Sequence, residues 1–377
     1  MASETEYRTK TGARRYQARW RAPDGQQRSK AGFTTLAAAK AYGVEKETSK
    51  AQGTYTNPKQ SKILFGTLGE AWLKSRPDLR PSTLTAYNSA WSRHIKPRWG
   101  KTPVGNIRHT DVQTWLGELT SGAAKTAKGV PKGPVTVRRC HDVMLSILDA
   151  AVLDHIIPIN HARKVKRPPK ITRERVFLDH DQVARLVAAA GDHGPLVDFL
   201  AYSGLRWGEA AALTVSDVDF PRSRIRVNKT ASLNGGQVEV GPTKTGSHRE
   251  VVLPDFIIAS LKTICKNRIG NALVFPDRNG GYQKTPTVSA NSWWDRAKKK
   301  ANMPPALRIH DLRHTAACLA IRAGASVKTV QAMLGHASAV ETLNTYAHMW
   351  PDDLDTLADQ LAEARRLMAH DQSSPVK

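Results

Sequence analysis

The sequence predicts a mainly α-helical protein with small β-sheets, an α+β fold arranged in three domains. Apolar residues recur at intervals of three and four through most of the chain, which is the period of an amphipathic helix. Alternating, strand-like runs bounded by glycine or proline occur near residues 16–33 and 224–253. Two polar breaks that contain proline, at residues 53–62 and 160–175, divide the chain into three segments.

The first segment, residues 1–55, is predicted to be a small sheet followed by a helix. A strand-like alternation begins at Tyr16, and a second run, after a Pro-Asp-Gly turn, ends at Phe33. Thr34 or Thr35 can cap the helix that follows. A small sheet with arginines on its strands is suited to reading a DNA groove, although such a basic domain can also bind phosphates without selectivity.

The second segment, residues 62–160, is predicted to be a bundle of four helices that bury their apolar faces in one another. The helices are expected to begin near Thr67, Pro81, Thr110 and Pro134. Three tryptophans fall on the apolar stripes and are expected in the core rather than on a base-stacking surface: Trp72, Trp91 and Trp115.

A basic linker, residues 161–175, is expected to be extended because it contains Pro168-Pro169. Its charge is explained equally well by solvation or by contact with a phosphate backbone. The third segment, residues 176–350, opens with a helix, continues into a strand-rich middle and returns to helices after about Val288. Its predicted strands are Arg224–Thr230, Gln237–Val240 and Arg249–Leu253.

The formal net charge of +24 predicts a polyanionic partner. Lys and Arg outnumber Asp and Glu by 13 to 5 in residues 1–62, by 18 to 7 in residues 63–170 and by 26 to 21 in residues 171–377. No apolar run approaches the ~18 residues of a membrane span, and the N-terminus lacks a signal-peptide pattern. Duplex nucleic acid is therefore favoured over a membrane surface.

The three cysteines, Cys140, Cys265 and Cys318, are widely separated and odd in number. They provide neither a disulfide framework nor a metal cage, so they are expected to be buried in a protein of a reducing compartment.

Metal-free transesterification at a phosphodiester needs a nucleophile, cations at the non-bridging oxygens and an acid for the departing oxygen. Arginine suits the oxygens because its rigid fork matches phosphate. The third segment contains such a set in order along the chain: Arg206, Lys244, His310, Arg313, His336 and Tyr346.

These residues lie in motifs that resemble the tyrosine recombinases, and within them the lambda-type phage integrases. The motifs are Ser-Gly-Leu-Arg around Arg206, His-x-x-Arg at 310–313, Leu-Gly-His at 334–336 and the tyrosine ten residues later. The resemblance is strong over about residues 175–350. It implies an arm-binding domain for the first segment, a core-binding domain for the second and a catalytic domain for the third.

The resemblance also implies a role for each residue. Tyr346 attacks the scissile phosphate and forms a 3′-phosphotyrosine, while Arg206 and Arg313 hold the phosphate oxygens. His310 acts as proton acceptor or hydrogen-bond donor, and His336 adds a hydrogen bond in the transition state. Lys244 is the acid for the 5′-hydroxyl, and Glu209, one turn beyond Arg206, positions the site. Neither a metal nor another cofactor is implied.

Several alternatives remain open at this point. Lys229, on a neighbouring predicted strand, competes with Lys244 for the role of the acid. His310 and His314 are spaced as metal ligands, but the sequence offers no third ligand near them. Residues 351–377 carry three basic and six acidic residues and an apolar stripe, which predicts an amphipathic helix and tail. The resemblance favours docking of this helix on a neighbouring protomer over packing on its own domain.

The function predicted from these features is site-specific recombination that integrates phage or mobile-element DNA into a chromosome. A non-catalytic bridging protein, a relaxing topoisomerase and a chromosome-dimer resolvase are the competing hypotheses. The expected partners are double-stranded DNA with core and arm sites, three further copies in a homotetramer, a host DNA-bending protein and an excision factor. The expected location is the host cytoplasm, at the nucleoid.

Overall fold

The structure is a computed structural model that describes residues 2–23, 25–52, 55, 60–170, 175–234, 236–243, 246, 248–286, 291–350, 361–363 and 365–366. The chain divides into two compact units, Met1–Thr172 and Arg173–Lys377. The division falls within the predicted basic linker. The mainly helical α+β fold expected from the sequence is confirmed.

A three-stranded antiparallel sheet and one helix form the N-terminal part of the first unit. The strands, in the order β1-β2-β3, and the helix are β1 Ser3–Arg8, β2 Arg14–Arg21, β3 Gln27–Phe33 and α1 Leu36–Ala51. The Thr35 side chain accepts a hydrogen bond from the Ala38 amide at 3.2 Å, as expected for a helix cap. Strand β1 was not predicted, because it is a polar edge strand with no apolar alternation.

The remainder of the first unit is a helical bundle. Its helices are α2 Phe65–Lys74, α3 Pro81–Ala90, α4 Lys96–Trp99, α5 His109–Ser121 and α6 Pro134–Leu153, and a π-helical turn, Trp91–Ile95, joins α3 to α4. The three tryptophans predicted for the core are buried, as expected. Helix α2 begins two residues before the predicted Thr67, because the carbonyls of Thr102 and Gly100 accept hydrogen bonds from its first two amides.

The first residues of the predicted linker pack on the bundle. The side chains of Ala162 and Val165 are buried, and the His141 ring bonds the Ala162 carbonyl at 2.9 Å. Arg163 and Arg167 pair with carboxylates of α6. This part of the segment is therefore held against the helices and is not a freely solvated linker, whereas residues 171–174 lie outside the described residues.

The second unit surrounds two small sheets with helices. Its helices are α7 His180–Ala189, α8 Gly194–Ser203, α9 Trp207–Ala211, α10 Asp255–Ile264, α11 Trp293–Lys300, α12 Asp311–Arg322, α13 Val327–Leu334 and α14 Ala339–Tyr346. Its strands are β4 Val218–Asp219, β5 Arg224–Val227, β6 Lys229–Asn234, β7 Gln237–Pro242 and β8 Arg249–Val252. The sheets are antiparallel, with the orders β4-β5-β8 and β6-β7.

The sheet arrangement corrects one strand prediction. The run 224–230, expected to be one strand, is split at Asn228 into β5 and β6, which belong to different sheets. The reason is a change of partner, since β5 pairs with β8 while β6 turns back on β7. Alternation alone cannot show this change, because it continues across the break.

The cysteines and the helix lengths bear on two expectations about the chain as a whole. All three cysteines are buried and free, as predicted. Within the described residues, no helix is both long and apolar enough to cross a membrane. The predicted helix and tail at 351–377 fall mostly outside the described residues, of which only 361–363 and 365–366 are included.

Substitution of Gly69 by alanine should destabilise the helical bundle. A methyl group at this position of α2 would overlap the indole ring of Trp91, which is buried at the π-helical turn. We expect the urea midpoint, followed by tryptophan fluorescence, to fall by the equivalent of about 1–3 kcal/mol. The matched control is Gly117→Ala in α5, where the added methyl meets no atom within 4 Å. An equal midpoint for the two variants would contradict this packing.

Candidate active site

The carboxylate of Glu209 is the centre of a charged cluster in the second unit. Its side chain is 1% exposed and accepts hydrogen bonds from two arginines. Arg206 Nη1 donates to Oε1 at 3.0 Å, and Arg249 Nη2 donates to Oε2 at 2.7 Å. Burial acts to raise the pKa of Glu209, but the hydrogen bond and charge of Arg249, with those of Arg206, outweigh it and lower the pKa. The carboxylate is therefore ionised and fixes both guanidinium groups.

The local sequence explains how Arg206 reaches this position. Gly204 ends α8 with φ +66°, a left-handed conformation that favours glycine, and Arg206 then caps α9. Glu209, the third residue of α9, accepts a hydrogen bond from the Arg206 amide at 3.0 Å. Glu209 thus lies one turn beyond Arg206, as predicted, and its carboxylate reaches back to the amide of the residue that caps α9.

Arg313 ties three helices together at the same site. This residue of α12 is 4% exposed, and its Nη1 and Nη2 donate to the carbonyls of Gly204 and Leu334, each at 2.6 Å. These carbonyls are available because both helices end there, and Gly335, with φ +64°, turns the chain after α13. Burial and the neighbouring Arg206 lower the pKa of Arg313 to about 9, which leaves it protonated at neutral pH.

The phenol of Tyr346 lies at the end of α14 and is hydrogen-bonded to a histidine. Its oxygen is 2.6 Å from Nδ1 of His314, and the tyrosine is 1% exposed. Burial raises the pKa of Tyr346, while the charge of Arg313 acts to lower it. The phenol is therefore protonated at neutral pH in the absence of DNA.

His336 follows Gly335 and joins the site from the α13–α14 connection. Its Nδ1 is 2.9 Å from Oγ1 of Thr342, which is fully buried, and its Nε2 is 3.8 Å from a carboxylate oxygen of Glu341. Burial and then the charge of Arg313 lower the pKa of His336 to about 4. At neutral pH the ring is thus neutral, with one nitrogen able to donate a hydrogen bond.

The remaining predicted residues differ in how the structure places them. His310 caps α12 at the edge of the site, where its side chain is exposed, and its ring meets that of His314 edge-on. Lys244 lies outside the described residues. Lys229, the alternative to it, is held by Asp217 at 2.7 Å and by the Thr214 hydroxyl at 3.0 Å. An acid already engaged by a buried carboxylate is poorly placed to serve a leaving group, which favours Lys244.

The cluster is suited to holding a phosphate diester. Glu209 pairs with Arg206 and Arg249, while Arg313 donates to carbonyls, so the site carries an excess of positive charge beside a phenol. Among the described residues, no group of three or more His, Cys, Asp or Glu side chains is placed to hold a metal ion.

A second cationic surface lies in the helical bundle, around a cavity of about 620 Å³. We call it the basic cavity; the residues that line it are Ala86, Ser89, Ala90, Arg93, His94, Thr126, Lys128, Lys132, Thr136 and Arg139. The described lining contains four cations and no carboxylate. His94 lies in the π-helical turn, is 9% exposed, and its Nδ1 has no hydrogen-bond partner in the described structure.

Comparison with known proteins agrees with this geometry. Residues 176–352 match the phage integrase family, and residues 64–120 match the N-terminal SAM-like domain of phage integrases. These matches cover 177 and 57 of the 377 residues, which together exceed half of the chain. The chain belongs to the phage integrase family. The resemblance expected from the motifs is therefore confirmed, and the protein is a tyrosine-type site-specific DNA recombinase.

Relatives resemble this chain in sequence, and solved structures resemble it in fold. A putative prophage phiRv2 integrase of Mycobacterium tuberculosis is 26% identical over 295 residues, which cover 75% of this chain and 74% of the relative. The Tn1549 transposon integrase, solved in complex with transposon right end DNA, shares the fold with a TM-score of 0.67 at 21% identity, over 80% of this chain and 100% of that one. A lambda integrase dimer bound to a core site gives 0.57 at 16% identity, over 90% and 93%.

Three features of this integrase were not identified from the sequence. Arg249 was assigned only to a strand, and a single arginine in an alternating run carries no signal of a buried ion pair. His314 was considered only as a metal ligand. Its spacing of four residues from His310 puts both histidines on one face of the helix, where His314 can also contact other catalytic residues. The basic cavity was not predicted, because its cations come from separate elements.

Replacement of Glu209 by glutamine should lower stability in a pH-dependent way. The variant leaves Arg249 without its buried counter-charge, which costs about 3–5 kcal/mol. Because the folded pKa of Glu209 is lowered, its contribution is complete above the ordinary glutamate pKa of about 4.3 and is lost as the pH falls through the folded value. The urea midpoints of wild type and variant should therefore differ by a constant amount between about pH 7 and pH 5, and should converge only below about pH 4, as the pH falls through the folded pKa. A difference that does not depend on pH would contradict the charged state of Glu209.

Proposed function

We propose that the chain integrates phage or mobile-element DNA through a 3′-phosphotyrosine bond at Tyr346. The observation that carries this proposal is the convergence of Arg206 and Arg313 on one buried frame beside the Tyr346 phenol. In the proposed reaction, Tyr346 Oη attacks the scissile phosphorus while the two guanidinium groups stabilise the charge that develops on the non-bridging oxygens. The phosphotyrosine conserves the bond energy for religation.

The other residues have auxiliary roles in this proposal. His310 and His336 donate hydrogen bonds to phosphate oxygens, because the charges of Arg313 and Arg206 act on both rings and His336 is neutral at neutral pH. Lys244 protonates the departing 5′ oxygen. Glu209 does not react and instead holds Arg206 in place.

The basic cavity is proposed to receive the backbone of duplex DNA. Its four cations have no carboxylate within ion-pair distance among the described residues, so a phosphate can neutralise them without first displacing a partner. The pKa of His94 is lowered by burial and then by the charges of Lys132 and Arg93. A neutral imidazole with an unpartnered nitrogen adds a hydrogen-bonding group to the cationic lining.

The N-terminal sheet is proposed to bind arm sites, and the second segment to bind core sites. On β2, Ala18 and Trp20 are buried, whereas the alternate residues Arg19 and Arg21 are exposed. The charged face of this strand is thus free for a groove or a backbone. Residues 1–55, 62–160 and 176–350 remain the proposed boundaries of the arm-binding, core-binding and catalytic domains.

The proposed assembly is a homotetramer on DNA. The Tn1549 and lambda integrases are solved as complexes with DNA, and a lambda integrase tetramer is solved on a Holliday junction. By analogy we propose the same partner and assembly here, with a host DNA-bending protein and an excision factor as accessory partners. The site of action would be the host chromosome in the cytoplasm.

Tyr346→Phe should abolish the covalent intermediate. A suicide duplex, nicked near the scissile position and taken from the DNA that flanks the gene, is mixed with protein in EDTA. Wild type should give a covalent complex on a denaturing gel that maps to Tyr346, while the variant gives none and binds the duplex equally. Binding by wild type without a covalent complex would instead support the bridging protein. A covalent complex formed by Tyr346→Phe would show that another residue is the nucleophile.

Removal of charge from the basic cavity should weaken DNA binding with a characteristic salt dependence. For Arg93→Gln and Lys132→Gln, we expect the slope of log K against log salt concentration to fall by about 1 for each phosphate that the variant no longer neutralises. The control is Lys74→Gln, which removes the same charge from the exposed end of α2, outside the cavity. Equal slopes for cavity and control variants would exclude the cavity as a backbone site.

A further inference from the structure

The side chains of His314 and Tyr346 are in direct contact at the active site. Nδ1 of His314 lies 2.6 Å from the Tyr346 oxygen, in the geometry of a strong hydrogen bond. The histidine is in the first turn of α12 and the tyrosine is the last residue of α14. The nucleophilic oxygen is therefore in direct contact with a titratable group.

The protonation states of the two groups limit the directions that this hydrogen bond can take. Burial, His310 and then the charges of Arg175 and Arg313, with His336, lower the pKa of His314 to about 3. The imidazole is therefore neutral at neutral pH, and the phenol, whose pKa is raised by burial, keeps its proton. A neutral imidazole can accept at Nδ1 or donate from it, depending on its tautomer. We assign the phenol as the donor and Nδ1 as the acceptor, with the imidazole proton on Nε2, because the other groups near the phenol are less suited to accept its proton.

Other nearby groups are less suited to accept the phenolic proton. Arg313 has no lone pair to offer, and both of its terminal nitrogens donate to carbonyls. His336 is directed to Thr342 and Glu341. The ring of His310 meets the ring of His314, and within the described structure no hydrogen bond joins His310 to the phenol.

We propose that His314 accepts the phenolic proton of Tyr346 when the phenol attacks the scissile phosphate. This inference rests on the proposed function and deepens it. As the Oη–P bond forms, the proton passes from Oη to Nδ1, and the bond from phosphorus to the 5′ oxygen breaks with its electron pair on that oxygen. Lys244 supplies the proton that the 5′ oxygen takes up. On religation, the 5′-hydroxyl attacks phosphorus, Lys244 recovers a proton and the leaving phenolate recovers its own from His314.

The arrival of DNA makes His314 a stronger base. In the DNA-free protein the standing positive charges that lower the pKa of His314 are those of Arg175 and Arg313, and His310 and His336 add to them when they are protonated; none of these four groups is negatively charged. A phosphodiester bound to the arginines adds a negative charge beside these cations and so favours the imidazolium. Proton transfer is thereby coupled to occupation of the site, which protects the phenol from ionising when no substrate is present.

His310 has a narrower role in this reaction than the one first expected for it. That residue was expected to act as proton acceptor or hydrogen-bond donor, and the geometry assigns it the second of these. Its exposed position at the start of α12 lets it reach a bound phosphate, while His314, four residues later on the same face, reaches the nucleophile.

The test separates proton acceptance from simple positioning. In His314→Asn, the amide oxygen can stand near the place of Nδ1 and accept the phenol's hydrogen bond, but it cannot take up the proton. Single-turnover cleavage of the suicide duplex is measured for wild type, His314→Asn and the matched His310→Asn. Each is also made with 3-fluorotyrosine at position 346, whose more acidic phenol needs less help to lose its proton. DNA affinity and the urea midpoint are recorded for every variant.

We expect His314→Asn to slow cleavage by about 10²–10⁴-fold, the usual contribution of general-base catalysis. In His314→Asn, 3-fluorotyrosine should raise the cleavage rate by at least about tenfold, because a more acidic phenol depends less on a general base. The same replacement should change the cleavage rates of wild type and His310→Asn far less, because both keep the base. If His314→Asn binds DNA and cleaves as fast as wild type, or if fluorotyrosine restores nothing, the proposal is overturned. Absence of cleavage by wild type would instead contradict the proposed function itself, so the two failures are distinguishable.

Discussion

The structure of the site depends on one constraint, the confinement of several positive charges in a largely buried place. Arg313 is almost fully buried and Arg249 nearly so, and neither can be held there without partners. A single carboxylate, Glu209, serves Arg206 and Arg249, while two helix-end carbonyls serve Arg313. Because Glu209 balances only part of the positive charge of the arginines, the site can bind one more anion. A phosphodiester has the negative charge and the oxygen acceptors that such a site requires.

The same constraint explains why the motifs have the residues they do. An arginine held by carbonyls needs helices that end at the right point, and Gly204 and Gly335 end α8 and α13 in left-handed conformations. A methyl group on Gly204 would press against Met333, and one on Gly335 against the side chain of Arg249. The glycines of Ser-Gly-Leu-Arg and Leu-Gly-His are thus parts of the charge-binding frame, which links helix termination directly to the chemistry.

Much of this architecture was predictable from local sequence. The helix beginning after Thr35, the buried tryptophans of the bundle and the capping relation of Arg206 to Glu209 each depend on a few neighbouring residues, so periodicity and cap chemistry were sufficient. The break at Asn228, the start of α2 at Phe65 and the polar strand β1 depend on partners distant in the chain. Hydrogen bonds of that kind leave no trace in the alternation of apolar residues.

The distribution of charge suggests that DNA affinity and catalysis depend on different parts of the chain. The first 170 residues hold most of the net positive charge, and in the basic cavity the cations lack carboxylate partners among the described residues. In the second unit, by contrast, the key arginines are committed to Glu209 and to carbonyls. Cations committed in this way are rigid, which favours transition-state stabilisation, but they release few counterions on binding. The salt-dependent part of DNA affinity should therefore arise chiefly in the first unit, which leaves the catalytic frame to be shaped by the requirements of the reaction.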